Sequence, residues 1–260
     1  MQARWARWMA GGYGFLVYAF LYLPIMILVV YSFNRSKLNA VWTGFTVDWY
    51  AVLVRDTAII QAAWNSLVVA VLSTFIATMI GTLAAVGMHR YHFRGKTALN
   101  GMLYIPIIIP EIVMGISLLV FFSLVKIPLG LLSLILAHVT FCIPFVVLTV
   151  RARMEGFDRH LEEAAMDLGA SNLQTLRYVT MPVIMPGILA GVLLSFTLSL
   201  DDVIISFFVS GPGSMTLPLK IYSMVKFAVT PEINALCTIM MVLTLLLVLI
   251  AERLRLKKAG

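Results

Sequence analysis

Six long apolar runs, near residues 13–33, 64–88, 99–125, 129–150, 183–204 and 233–251, occupy most of this 260-residue chain. Each approaches or exceeds the roughly 20 residues that a helix needs to cross a hydrocarbon core about 30 Å thick. Lipid offers the backbone no hydrogen-bond partners, so a spanning segment must be a helix or part of a closed barrel. Runs this long without polar alternation predict helices. The expected fold is therefore all-α, a polytopic membrane protein with six transmembrane helices in one domain over 1–260. Composition agrees: 12% of residues are charged and 61% hydrophobic, against about 25% charged in soluble domains. The fifth run is the least clean, because Asp201 and Asp202 lie near its far end and Gly211, Pro212 and Gly213 follow.

Basic residues set the orientation, since short loops rich in Lys and Arg stay in the cytoplasm. With Arg4 and Arg7 inside, six crossings bring three more clusters to the same side: Arg90, Arg94 and Lys96; Arg151, Arg153, Arg159 and Arg177; and Arg253, Arg255, Lys257 and Lys258. The opposite side receives only Arg35, Lys37, Arg55, Lys126, Lys220 and Lys226. Both termini are thus expected in the cytoplasm. The net charge of +7 is then mostly a topology signal, and nucleic-acid binding explains it poorly. The first run is too long for a secretory signal core and lacks a small-residue cleavage site before Asn34, so it reads as a first membrane helix. Cys142 and Cys237 both fall inside apolar runs and suggest neither a disulfide nor a metal framework. Trp42, Trp49, Tyr50 and Trp64 in the first outer segment fit interfacial anchoring. Residues 214–232 have the periodicity of a short amphipathic helix across a pore mouth.

One cytoplasmic stretch is unlike the rest. From Glu162 to Pro182 the sequence is polar, charged and helix-prone. Glu162 and Glu163 suit a helix N-terminus, Ala164 and Ala165 permit close approach to another surface, and Gly169 offers a turn. A second short helix is expected over Ala170–Tyr178, with Pro182 at the entry to the fifth span, where a missing amide donor is tolerated. Glu163, Ala164 and Ala165 are followed by Gly169, then after nine residues by Val179, Thr180, Met181 and Pro182. This spacing resembles the EAA loop of ABC-importer permeases, a short cytoplasmic helix that docks on an ATPase subunit. The resemblance implies a coupling loop over 155–182, with Glu162, Glu163, Ala164, Ala165, Asp167, Gly169, Ala170 and Ser171 in the coupling role.

A second group of residues is acidic and lies in apolar surroundings. Glu111 follows Pro106 and Pro110 in the third run, and Asp201 and Asp202 close the fifth. A carboxylate at mid-membrane costs about 2.5–3.5 kcal/mol on insertion scales, so such groups face a bundle interior or a water-filled path. Pro106 and Pro110 are expected to break the third helix near Glu111. Three acids without an intramembrane Lys or Arg partner suit a cationic passenger, although Asp201 and Asp202 could equally cap helices. His138 fits either a path-lining position or a hydrogen-bonded place in the bundle. Gly187 and Gly191 form a GxxxG pattern that would allow close helix approach, as at a subunit interface, and such patterns also arise by chance.

The resemblance extends along nearly the whole chain. YSFN at Tyr31, FRGK at Phe93, HVTFCIPFVV at His138, SFTLSLDDVIISFFVSGPG at Ser195 and LPLKIYSMVKFAVTPEINAL at Leu217 are similar to the permease subunits of bacterial spermidine/putrescine ABC importers. That likeness implies the type I importer permease (MetI-like) fold in the cell inner membrane. It also implies a second homologous permease, two ATPase subunits and a periplasmic polyamine-binding protein as partners. Glu111, Asp201, Asp202 and Tyr222 would form the substrate path. The sequence contains no GxxxxGK[ST] phosphate loop, so the chain is not expected to be an enzyme. ATP and Mg would sit on the partner ATPase, with no cofactor on this chain. The alternatives are a permease for another small cation, metal chelate or anion, and a proton-coupled secondary carrier. An intramembrane enzyme lacks any nucleophile–base pair or metal-ligand cluster to do chemistry.

Overall fold

The computed structural model describes residues 2–36, 41–158, 160–227 and 229–259. Lys37 and Arg159, counted in the charge asymmetry, lie outside the described residues. Among those described there is no strand, only an isolated bridge between Asn34 and Phe45. The helices are α1 (Gln2–Tyr31), α2 (Asp48–Arg55), α3 (Thr57–Arg90), α4 (Lys96–Ile108), α5 (Glu111–Val125), α6 (Leu131–Met154), α7 (His160–Asp167), α8 (Asn172–Thr175), α9 (Met181–Asp201), α10 (Ile204–Val209), α11 (Leu217–Phe227) and α12 (Pro231–Ala259). All six apolar runs are helical. Among the described residues four helices, rather than the six expected, are long and apolar enough to cross a membrane unaided; α4 and α5 form a bent pair that is either a broken span or a re-entrant loop, and α12 carries a shorter apolar stretch over Pro231–Leu246.

The third run is not one straight span. Its two helices meet at a bend of 110°, and at about 1.5 Å per residue each is only about 20–22 Å long. Pro110 causes the break: a residue preceding proline is driven out of the α region, and Ile109 is extended at φ −68°, ψ 134°. Pro106, expected to share in the break, instead stays within α4.

The chain divides into two compact units. In the first, residues 1–60 and 221–260, α1 and α2 pack on α12. The loop after α1 is built around buried Asn34. Its amide donates to Val41 O at 2.9 Å and its Oδ1 accepts from Thr43 N at 3.0 Å, while Trp49 Nε1 donates to Asn34 O at 2.7 Å. Trp49 and Tyr50 therefore help close this loop, whereas Trp42 remains exposed in the manner of an interfacial anchor.

The second unit, residues 61–220, is organised on α6. This helix is apolar nearly all round, as expected of one enclosed by neighbours. One cluster packs Leu134, Ala137, Phe141 and Cys142 against Val69, Phe122, Ile205 and Val209. The next packs Val146, Val147, Val150 and Met154 against Ala85, Val86, Ile184 and Ile188. Gly187 and Gly191 of α9 serve this packing. A Cβ at Gly187 would lie 2.7 Å from Arg153 Cβ, and one at Gly191 would lie 2.7 Å from Thr149 Oγ1. The GxxxG pattern thus seats α9 on α6 within the chain.

Candidate functional site

Two constellations in the second unit carry the site. At one end of the unit, Arg90 closes α3, Arg151 Nη1 donates to Asn100 Oδ1 at 2.6 Å, and Arg90 pairs with Glu162 of α7. The end of α3, the first turns of α4, the last turn of α6 and α7 are thus gathered at one end of this unit. The other end gathers Asn65, whose Nδ2 donates to Gly213 O at 2.9 Å and Met215 O at 3.0 Å, and Ser133, whose Oγ donates to Val209 O at 2.8 Å.

At the basic end, α7 presents the predicted island. It closes in a Schellman turn: Gly169 N donates to Met166 O at 2.9 Å and Ala170 N to Ala165 O at 3.0 Å, with Gly169 at φ +89°. A left-handed residue at this position is what glycine accommodates without strain. Ser171 then caps α8 reciprocally with Gln174, as Ser171 N donates to Gln174 Oε1 at 2.8 Å and Gln174 N to Ser171 Oγ at 3.4 Å.

The second short helix expected over Ala170–Tyr178 does not stand apart. Residues Leu176–Thr180 form a π-helical turn that runs straight into α9, giving one helix over Asn172–Asp201. Pro182 supplies the reason: its ring crowds the carbonyl four residues back and brings no amide, and a wider turn relieves both.

The coupling residues fall into two sets. Glu163, Ala164, Asp167, Gly169 and Ser171 are exposed, Ala165 and Ala170 are partly buried, and Glu163 Oε2 sits 3.1 Å from His160 Nδ1. Leu168 is 90% exposed, Leu173 73% and Tyr178 69%, and Leu168 and Tyr178 line a cleft together with Ala165, Ala170, Thr175 and Val179. Glu162 instead turns inward, where one carboxylate oxygen accepts from both Arg90 and Thr180.

The second constellation surrounds the end of α9. Asp201 is its last residue and is exposed, and the chain is extended at Asp202. Asp202 is buried and caps α10: Oδ1 accepts from Ile205 N at 3.1 Å, and Oδ2 from Ser206 N and Ser206 Oγ at 2.8 Å each. His138, fully enclosed, has Nδ1 2.7 Å from Ser199 Oγ and Nε2 3.1 Å from Ser206 Oγ and 3.4 Å from Asp202 Oδ2. Ser199 also meets Ser73 of α3 at 3.0 Å. With the imidazole proton on Nε2, one direction of donation satisfies the chain from Ser73 through Ser199, His138 and Ser206 to Asp202. Glu111 is exposed as the first residue of α5. Tyr222 is exposed on α11 in the first unit.

Residues 77–256 match the family described as the binding-protein-dependent transport system inner membrane component. The chain belongs to this family. Among its relatives, the spermidine/putrescine transport system permease protein PotC of Escherichia coli K12 is 51% identical over 95% of this chain and 93% of its own length. The Haemophilus influenzae PotC is 50% identical over 92% and 93%, and the putrescine transport system permease protein PotI of Escherichia coli K12 is 45% identical over 87% and 83%. In fold, the chain is similar to a bacterial ABC transporter involved in import of the acidic polysaccharide alginate, with a TM-score of 0.77 and 12% identity over 97% of each chain. It is also similar to the MetNI methionine transporter, with a TM-score of 0.63 and 19% identity over 81% of this chain and 97% of that one. At those identities the likeness concerns the permease fold alone.

Sequence reasoning singled out His138, Asp202 and Glu162 separately and missed what joins them. Ser73, Ser199 and Ser206 are the missing links of one network, and Arg90 and Thr180 those of the other. The available signal was small polar residues recurring inside apolar spans, each needing a partner in lipid.

Proposed function

We propose that this inner-membrane permease is one subunit of an ATP-driven importer that moves spermidine, putrescine or both by alternating access. The observation that carries the substrate class is the near full-length identity to permeases named for those polyamines. In this reading the chain pairs with a second, homologous permease, two ATPase subunits bind the cytoplasmic face, and a periplasmic binding protein delivers the polyamine. Both termini lie in the cytoplasm. ATP and Mg are held by the ATPase, and this chain carries out no hydrolysis.

The α7–Gly169–α8 segment is the lever. Its exposed Leu168, Leu173 and Tyr178 supply apolar surface to a partner, and Glu163 and Asp167 supply charge at the rim. Interfaces of this kind place large side chains in a desolvated centre with polar groups around it. On the path, the exposed carboxylates of Asp201 and Glu111 attract the ammonium groups, and in the other unit the exposed Tyr222 offers an aromatic face suited to a cation. Asp202 acts from behind, because its own chain already occupies its oxygens. Passage requires the carboxylates to hold the cation weakly enough to release it.

ATP hydrolysis by the purified complex, measured with polyamine-loaded binding protein, tests the lever. Glu163→Lys is expected to leave the two permeases copurifying and to abolish the stimulation; stimulation equal to wild type would remove Glu163 from the lever.

A further inference from the structure

The node at Glu162 does something that docking does not require. The chain leaves α6 for α7 through the irregular stretch Glu155–Asp158 and leaves α7 through the left-handed turn at Gly169. The backbone is therefore non-helical on both sides of α7, and side-chain contacts give the helix a second, more direct link to the membrane helices. The side chains bypass both joints. Glu162 Oε1 accepts from Arg90 at the end of α3 and from Thr180 where the π-helical turn enters α9, and Arg90 Nη2 also donates to Thr180 Oγ1 at 2.7 Å. The side chains of Arg90 and Glu162 are 19% and 13% exposed and Thr180 is enclosed. Ion pairs open to water contribute little, whereas breaking a largely enclosed, hydrogen-bonded pair is costly.

We propose that Arg90 is a positioning residue that ties α7 to α3 and to the foot of α9, so that movement of the coupling helix reaches two membrane helices at once. This rests on the importer reading above. A guanidinium suits the task because Nη2, held in the rigid guanidinium plane, presents its two hydrogens in fixed directions to Glu162 and Thr180, whereas a lysine ammonium turns freely on its stem. The π-helical turn adjoining the node places a wider, more deformable segment where α9 must pivot.

The test uses the complete importer in proteoliposomes, with spin labels at the exposed positions Leu161→Cys on α7 and Leu83→Cys on α3 in a Cys142→Ser/Cys237→Ser background. In the otherwise native chain the label distance is expected to be narrow and the same with and without ATP, because α7 and α3 move together. With Arg90→Gln the distance should broaden and become ATP-dependent. Spermidine uptake per ATP hydrolysed should fall about tenfold, within the range of coupling between groups of one hydrogen-bonded network, while the ATPase still copurifies and its unstimulated activity is unchanged. The exchanged pair Arg90→Glu/Glu162→Arg should recover most of the loss. Label distances in Arg90→Gln matching the parent under both conditions would overturn the proposal, as would an exchanged pair no better than Arg90→Glu alone. A parent complex that hydrolyses ATP without moving polyamine would count against the substrate reading, and the label distances would still decide the role of Arg90.

Discussion

Replacing His138 with alanine should destabilise the second unit strongly, by an amount that can be built from its contacts. The ring is enclosed and bridges Ser199 at 2.7 Å and Ser206 at 3.1 Å, with Asp202 at 3.4 Å. Side-chain hydrogen bonds between membrane helices average about 0.6 kcal/mol and reach about 1.7 kcal/mol, so these contacts account for about 1–3 kcal/mol. The emptied ring space adds a cavity term, and large-to-alanine changes in packed cores cost about 2–5 kcal/mol in total. A loss of about 3–5 kcal/mol follows, on the order of 10 °C in midpoint for a unit of this size. Asp202 limits the loss because it keeps the backbone donors of Ile205 and Ser206. The assay is thermal unfolding in detergent followed with a thiol-reactive fluorophore, since Cys142 is fully buried in this core. The control is His160→Ala, because His160 has an 86% exposed side chain. A shift below about 2 °C, or no larger than the control's, would refute the reasoning, since about 1 kcal/mol moves the midpoint by about 2–4 °C at this size.

Gly211→Ala should prevent accumulation of folded protein, because the added carbon would lie 2.0 Å from Leu129 O; Gly101→Ala, with open space around it, should express normally by size-exclusion chromatography. Gly191→Leu should lower the midpoint through overpacking against Thr149 and Val146, by about 1–3 kcal/mol or more, and a variant as stable as the parent would contradict the α6–α9 seat. Leu168→Glu with Leu173→Glu should leave the midpoint within about 2 °C of the parent, as expected for exposed positions, and abolish copurification of the ATPase. Asp201→Asn should reduce polyamine uptake without lowering the midpoint; unchanged uptake would reassign Asp201 to a purely structural place at the end of α9.

The sequence made the membrane helices legible because length and apolarity are one-dimensional properties, and the orientation drawn from the basic clusters remains part of the proposal. The turn at Gly169 and the entry of Pro182 were legible for the same reason, since caps and prolines act locally. The merger of α8 with α9 was not, because the π-helical turn depends on how the helix accommodates Pro182. Nor could spacing show that Glu162 faces inward while Glu163 faces out, although adjacent helical positions differ by about 100°. Residues 73, 138, 199 and 206 meet only once α3, α6, α9 and α10 are packed. Glu111 and Tyr222 are exposed, and their facing the passenger remains a proposal.

Uptake of radiolabelled spermidine and putrescine into proteoliposomes holding the complete complex, with binding protein outside, tests the central claim most directly. The account predicts accumulation that requires ATP inside and persists when an ionophore has collapsed the proton gradient. Accumulation without ATP that disappears with the gradient would make the chain a secondary carrier, and ATP hydrolysis without uptake of either polyamine would contradict the substrate class.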